Sequence, residues 1–257
     1  MKASARVLVP ALLLVAAPLA AADDFRWHAA LAAGRSLEIK GVNGEIHAVA
    51  ASGGEAVVTA RKSARRSDPA SVEIKVVEHA GGVTVCAVYP GALLRKNECK
   101  PGDGGMSSHD NDVTVDFDVQ VPAGVRFAGR TVNGGVEIGE LTAEAEAETV
   151  NGNVSVASRG VARASSVNGS VRATLGRADW QGALRLTTVN GSVEVELPAD
   201  TSASVSASTV NGDIHTDFPI TVQGRLVGRH LDGTIGSGGR ELKIETVNGS
   251  IRLHKGK

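Results

Sequence analysis

One phrase recurs along the chain and limits what it can fold into: Thr or Ser, then Val, Asn and Gly. Its turn residues are Asn43-Gly44, Asn133-Gly134, Asn151-Gly152, Asn168-Gly169, Asn190-Gly191, Asn211-Gly212 and Asn248-Gly249, with Asp232-Gly233 as a degenerate copy. From Asn133 onward the Asn or Asp positions step by 18, 17, 22, 21, 21 and 16 residues. A lone Asn-Gly marks only a turn, whereas this spacing marks a repeated supersecondary unit.

Each copy is flanked by alternation. Leu184 and Leu186 precede one turn, and Val193, Val195 and Leu197 follow it; Leu242, Ile244, Ile251 and Leu253 repeat the arrangement. Aliphatic residues on one parity, with Arg185, Glu194, Lys243 and Arg252 on the other, describe half-buried strands. The apolar parity flips across Asn-Gly, so the chain must reverse or bend there. Gly and Asn tolerate the positive φ that such a bend often needs.

Two all-β architectures satisfy the pattern. In a β-solenoid, coils of 16–22 residues stack so that Asn meets Asn and Val meets Val at about 4.8 Å. In an antiparallel meander or barrel, each Asn-Gly is a hairpin turn. Repetition favours the solenoid, and Ala145, Ala147, Ala162, Ala164, Ala203 and Ala207 at inward positions suit a narrow interior. Stacking also predicts Glu146, Arg163 and Arg185 as neighbours, and likewise Arg172, Glu194 and His215. Glu144, Glu146 and Glu148 precede Thr149-Val150-Asn151-Gly152 in register, which favours a strand over a short helix.

The first half is less regular. Leu37, Ile39 and Ile46 around Asn43-Gly44 suggest a first coil or hairpin, and alternation returns at 57–62, 72–77, 83–88 and 113–121. Residues 90–112 form a long polar loop protruding from one continuous core. Residues 1–22 have the three parts of a signal peptide: Lys2 and Arg6, an apolar stretch from Val7 to Leu19, and Ala20-Ala21-Ala22. The expectation is therefore a leader at 1–22 and a single all-β repeat domain at 23–257, exported to the periplasm, the cell surface or the medium, with no transmembrane span in the mature chain. Export places Cys86 and Cys99 where disulfides persist, and a bridge between them would contribute about 3 kcal/mol.

Charge and composition narrow the function. With 27 basic and 28 acidic residues the chain lacks the basic footprint of a nucleic-acid binder. Only 3 % of residues are aromatic, too few to stack sugars, bases or flat cofactors extensively. No nucleophile elbow, P-loop, H-E-x-x-H or C-x-x-C is present, so no cofactor or metal is expected. Asp213, His215 and Asp217 alternate on a polar parity, which reads as a solvated strand face, with a small acid/base or metal cluster as the functional alternative. The loop from Asp103 to Asp112 has oxygens that suit Ca²⁺ but matches no Ca²⁺ spacing. Arg61-Lys62-Ser63-Ala64-Arg65-Arg66 is a basic run suited to an anionic envelope polymer or to guarding a strand edge. Asn168, Asn190 and Asn248 fall in Asn-Gly-Ser sequons, which turn geometry already explains.

The leader, the tandem Thr-Val-Asn-Gly-x-Val/Ile phrases and the segment VTVDFDVQVPAG at 113–124 resemble the putative-adhesin family of bacterial exported proteins, a domain of unknown function. The resemblance covers most of the chain after residue 35. It implies a β-solenoid-like domain at the cell envelope or surface and supplies no catalytic residues. The expectation is a non-enzymatic β-repeat protein that engages an unknown cell-surface or envelope partner. The alternatives are a periplasmic envelope-stress or regulatory scaffold that binds a partner protein, and a polysaccharide-active enzyme using Asp213 or His215.

Overall fold

The structure is a computed structural model that describes residues 25–91, 97–102, 104–180, 182–222 and 230–256. The leader assigned to 1–22, and Asp103 of the polar loop, lie outside the described residues.

Strands follow the alternation closely. The first half holds β1 (Phe25–Ala30), β2 (Ser36–Lys40), β3 (Ile46–Ala50), β4 (Glu55–Ser63), β5 (Glu73–His79), β6 (Gly82–Val88) and β7 (Thr114–Val121). Then come β8 (Arg126–Arg130), β9 (Val136–Leu141), β10 (Ala145–Glu148), β11 (Val154–Ser158), β12 (Ala162–Asn168), β13 (Val171–Leu175), β14 (Ala183–Asn190) and β15 (Val193–Leu197). The chain ends in β16 (Ala203–Asn211), β17 (Ile214–Thr216), β18 (Ile220–Val222), β19 (His230–Ile235), β20 (Arg240–Asn248) and β21 (Ile251–Lys255).

The strands form two sheets. The first has the order β1-β4-β7-β3-β9-β11-β13-β15-β21-β17, the second β18-β19-β16-β20-β14-β12-β10-β8-β2-β6-β5. From β7 to β17 in one, and from β6 to β16 in the other, neighbours pair in parallel. Each Asn-Gly therefore joins a strand of the second sheet to one of the first within a coil. The fold is the all-β, solenoid-like stack, and the hairpin alternative falls, because a two-residue hairpin makes its flanking strands antiparallel partners. Antiparallel strands close the ends: β4 and β1 beyond β7, β5 beyond β6, and β19 with β18 beyond β16.

The order of coils in space departs from their order in sequence. The coil of β2 and β3 lies between that of β8 and β9 and that of β6 and β7. At the far end the C-terminal coil, β20 and β21, is inserted between β14–β15 and β16–β17. Asp232-Gly233 is not a rung corner: both residues lie inside β19, opposite Ser206 and Val205 of antiparallel β16. In the basic run, Arg61, Lys62 and Ser63 pair with β7 on one side, while the described part of β1 on the other side reaches no further than Ala60.

Between the sheets lies one apolar cluster. Leu184, Leu186, Val193, Val195 and Leu197 are fully buried, each such side chain contributing roughly 1.5–3 kcal/mol. Ala145, Ala147, Ala162, Ala203 and Ala207 are equally buried, where the space between sheets admits only a methyl group.

Candidate functional site

The corner phrase places four kinds of side chain at fixed positions on every coil. The Thr or Ser points inward and donates its hydroxyl to the Gly carbonyl of an adjacent coil: Thr149 to Gly134 at 2.8 Å, Ser166 to Gly152 at 2.9 Å, Thr188 to Gly169 at 2.7 Å, Thr246 to Gly191 and Thr209 to Gly249 at 2.8 Å. The Asn side chains form a ladder. Asn133 donates to Asn43, Asn151 to Asn133, Asn168 to Asn151, Asn190 to Asn168, Asn248 to Asn190 and Asn211 to Asn248, all at 2.7–2.9 Å. At Asn43 the ladder meets the long loop, where the amide donates to Val113 O at 3.3 Å and the buried Tyr89 hydroxyl donates to Asn43 O at 3.2 Å. Burial pushes the Tyr89 phenol up to about 12.

Gly is required here for close approach. A Cβ on Gly134, Gly152, Gly169, Gly191, Gly249 or Gly212 would lie 2.5 Å from the carbonyl carbon of the Gly on the adjoining coil. Of the phrase glycines only Gly44 and Gly134 have positive φ, at 121° and 155°. The tolerance of glycine for positive φ is used at these two copies, and at the others glycine is needed because stacking brings the backbones too close for a Cβ.

The Val of the phrase points outward. Val150, Val167, Val189 and Val247 are 39–40 % exposed and Val210 is 61 % exposed. They form the border row on the outer face of the second sheet. Two further rows run beside them. One holds Glu148, Ser165, Thr187, Glu245 and Ser208; the other holds Glu146, Arg163, Arg185, Lys243 and Ser206. Glu146, Arg163 and Arg185 are neighbours as stacking predicts. The companion set is split by the inserted C-terminal coil: Arg172 opposes Glu194, but His215 opposes Arg252.

At one end of this face lies a charged cluster. Arg130 pairs with Glu38, with Glu146 at 2.8 Å and with Glu148 at 3.0 Å. Burial pulls the Arg130 guanidinium down, yet the carboxylates together hold it above its ordinary value; burial likewise outweighs Arg130 at Glu146 and raises that carboxyl. Glu38 accepts from Thr84 Oγ1 at 2.9 Å and Gly102 N at 3.1 Å, and Lys40 Nζ donates to Lys100 O at 3.1 Å and Gly102 O at 2.8 Å. The cluster staples the long loop to β2, and the Cys86–Cys99 disulfide ties that loop to β6 with Cα atoms 5.6 Å apart. A cleft of about 410 Å³ opens between the loop and the face, lined by Lys40, Met106, Arg130, Val132 and Val150 among others.

The candidate chemical groups do not converge. His215 opposes Arg252, Asp213 N donates to Ser250 Oγ at 3.3 Å, and Asp217 accepts from Lys255 N at 3.3 Å. Sequence reasoning missed His254, which lies 3.2 Å from Asp217 and 3.4 Å from Glu194. Both ring nitrogens face carboxylates, which makes this a strut between coils. No proximity in sequence signals it, because 37 residues separate Asp217 from His254.

The loop oxygens are used internally. Asp112 accepts from Ser67 N at 2.8 Å and Arg66 N at 3.1 Å, and its hydrogen bonds with Ser67 hold its carboxyl down to about 2. Asn111 Oδ1 accepts from Val113 N at 3.0 Å. Among the described residues no group of three or more His, Cys, Asp or Glu is disposed to hold a metal ion. In the basic run, Arg61 pairs with Asp118 at 2.6 Å and Lys62 donates to Val72 O at 2.9 Å. The sequon residues Asn168, Asn190 and Asn248 are all engaged in the amide ladder. Among the described residues no helix is long and apolar enough to cross a membrane. The arrangement presents repetitive faces built from like residues of successive coils.

The sequence profile described as Toastrack DUF4097 matches residues 35–254. A solved structure of a putative cell adhesion protein from Clostridium sporogenes is similar over 91 % of this chain and 100 % of its own, at 12 % identity and a TM-score of 0.48. A putative adhesin from Bacteroides fragilis is similar over 90 % of this chain and 97 % of its own, at 11 % identity and a TM-score of 0.35. No curated protein matches the chain.

Proposed function

The chain belongs to the Toastrack DUF4097 family, and from that premise we propose that it is a non-enzymatic β-solenoid, exported to the cell envelope, that works by presenting its outer face to a partner there. The observation that supports this most directly is the exposed row of Val150, Val167, Val189, Val247 and Val210. Aliphatic side chains aligned on a flat, ordered surface have an interaction cost to recover that scattered ones do not. The leader pattern at 1–22 supports export, and the pairing of Asp217 and Glu194 with His254 across coils supports a structural role for those groups.

Protease shaving of intact cells, followed by binding of the purified exported protein to washed envelopes, tests the proposal. The expected result is protein outside the cytoplasm with saturable envelope binding that Val189→Asp weakens. Cytoplasmic retention would overturn it. So would turnover of a glycan that is lost in Asp213→Asn.

A further inference from the structure

We infer that the outer face of the second sheet is a docking trough for an extended, acidic and aliphatic segment of a partner protein; the inference rests on the proposed envelope-binding role and names the chemistry of its partner.

Three parallel rows shape the trough. Its floor at the centre is Ser165 and Thr187, short side chains directly opposite one another in the ladder, with Glu148 before them and Glu245 after them in the same row. A hollow of about 90 Å³ lies over them, bounded by Glu146, Glu148, Arg163 and Arg185 among others. One wall is cationic at its centre: Arg163, Arg185 and Lys243 oppose one another on successive strands, like charges that repel unless anions offset them. Arg163 pairs with Glu144, and Lys243 with Glu245 at 2.9 Å, whereas the exposed Arg185 has no acidic partner within 4.0 Å among the described residues. The other wall is the Val row.

Spacing selects the occupant. The walls stand four residues apart along each strand, roughly 13 Å. A peptide laid along the floor in extended form sends alternate side chains to opposite sides, which places every second residue against the cations and the rest against the Val row. Rungs recur at about 4.8 Å and like-facing peptide side chains at about 6.8 Å, so one acidic residue set over Arg185 leaves its like-facing neighbours beyond Arg163 and Lys243, whose charges Glu144 and Glu245 already offset.

Val42, which opens the row, is only 2 % exposed, and Met106 of the long loop, itself buried, lines the same cleft as Val132 and Val150. The exposed Val150, Val167, Val189 and Val247 continue the row from that cleft. No aromatic side chain lies on the described residues of these three rows, so a sugar polymer finds nothing to stack on.

The test uses fluorescently labelled dodecapeptides, one of alternating Asp and Leu and one of alternating Lys and Leu, titrated by anisotropy into the folded exported protein. The Asp/Leu peptide is expected to bind saturably and the Lys/Leu peptide not to bind. Arg185→Glu and Val189→Asp should each weaken binding about tenfold or more, whereas Arg252→Glu, the same charge change on the other sheet, should leave it within about twofold. Circular dichroism and the melting temperature check that each variant folds. Absent Asp/Leu binding, equal loss in Arg252→Glu, or equal binding of alginate or anionic vesicles with the same variant pattern would overturn the inference. Envelope binding that survives Arg185→Glu but is weakened by Val189→Asp would overturn the trough while leaving the wider functional proposal standing; absent envelope binding, or binding that survives both changes, would remove the latter.

Discussion

Asn248 donates its side-chain amide to Asn190 at 2.7 Å and accepts one from Asn211 at 2.8 Å. The last coil of the sequence is thereby locked between two coils that precede it, and the amide ladder runs unbroken through the insertion. Asn190 is an interior member, since it also donates to Asn168 at 2.8 Å. Asn190→Ala breaks two amide bonds on an exposed surface and should cost about 1–2 kcal/mol. Asn211→Ala breaks the bond to Asn248 and should cost about half as much. Asn190→Asp should be worse than Ala, because a carboxylate has no donor for Asn168 and meets its Oδ1 as a second acceptor. Urea denaturation of the three variants checks the order.

The glycines of the phrase are expected to be intolerant for a steric reason. Gly169→Ala and Gly191→Ala should each cost about 3 kcal/mol or more, since the added Cβ falls on the backbone of the adjoining coil and the rigid stack has no room to move. Gly53→Ala, where nothing lies within 4 Å of the added carbon, should stay within about 0.5 kcal/mol of the parent. Thermal unfolding separates these cases; equal tolerance at all three positions would show that the coils are not stacked at this distance.

Thr188 tests the inward hydroxyl. It is 4 % exposed and bonds Gly169 O at 2.7 Å. Thr188→Val keeps the shape and removes the donor, which should cost about 1–3 kcal/mol. Thr188→Ser should cost less, because Ser166 occupies the equivalent position two coils earlier in space than Thr246 and makes the same bond at 2.9 Å. Chemical denaturation distinguishes a lost hydrogen bond from a lost methyl group.

Most of the stack is legible in the residues because its period is local. Val, Leu and Ala on one parity predict the buried face, and the recurrence of Asn predicts the ladder. The order of coils is not legible. Asn248 carries the same phrase as Asn211, so nothing in either copy says which of them stands beside Asn190. Asp232-Gly233 misleads for a related reason: its spacing fits the period, but antiparallel pairing with β16 makes it a strand interior. The exposed Val row was hidden by composition, since Val at a solvent position looks the same in sequence as Val in the core. The Asp217–His254 strut and the Glu38–Arg130 pair depend on which coils adjoin, and so could be found only after the fold.

Two carboxyl groups should respond to acid with opposite signs. Asp112 is held down to about 2 by its hydrogen bonds with Ser67. Its folded pKa lies below the unfolded value, so its stabilisation is present above about 4 and is lost as pH falls through about 2. Glu146 is raised by burial, so its ionisation opposes folding as pH rises through its folded value. Side-chain carboxyl NMR should show Asp112 titrating near 2 and Glu146 above the ordinary glutamate range. Asp112→Asn should flatten the acid limb of stability between about 4 and 2, which pH-dependent denaturation measures.

The disulfide anchors the loop that covers the head of the Val row. Cys86 and Cys99 are 13 residues apart, and between Lys100 and Gly102 the loop supplies the two carbonyls that hold Lys40. Closing a loop of this length restrains the unfolded chain by about 3 kcal/mol. For a protein of this size, the double change Cys86→Ser with Cys99→Ser should therefore lower the melting temperature by about 10 °C. The loss should also be local in the native state. Hydrogen exchange should rise at residues 97–102 and 104–106 and along β2 and β6, where Lys40, Glu38 and the disulfide fasten the loop, and should remain unchanged in β12 to β15, whose ladder partners are other coils. Uniform loosening of every coil would mean that the loop holds the whole stack rather than one end of it, and an unchanged melting temperature would mean that the polar staple around Lys40 suffices without the bridge.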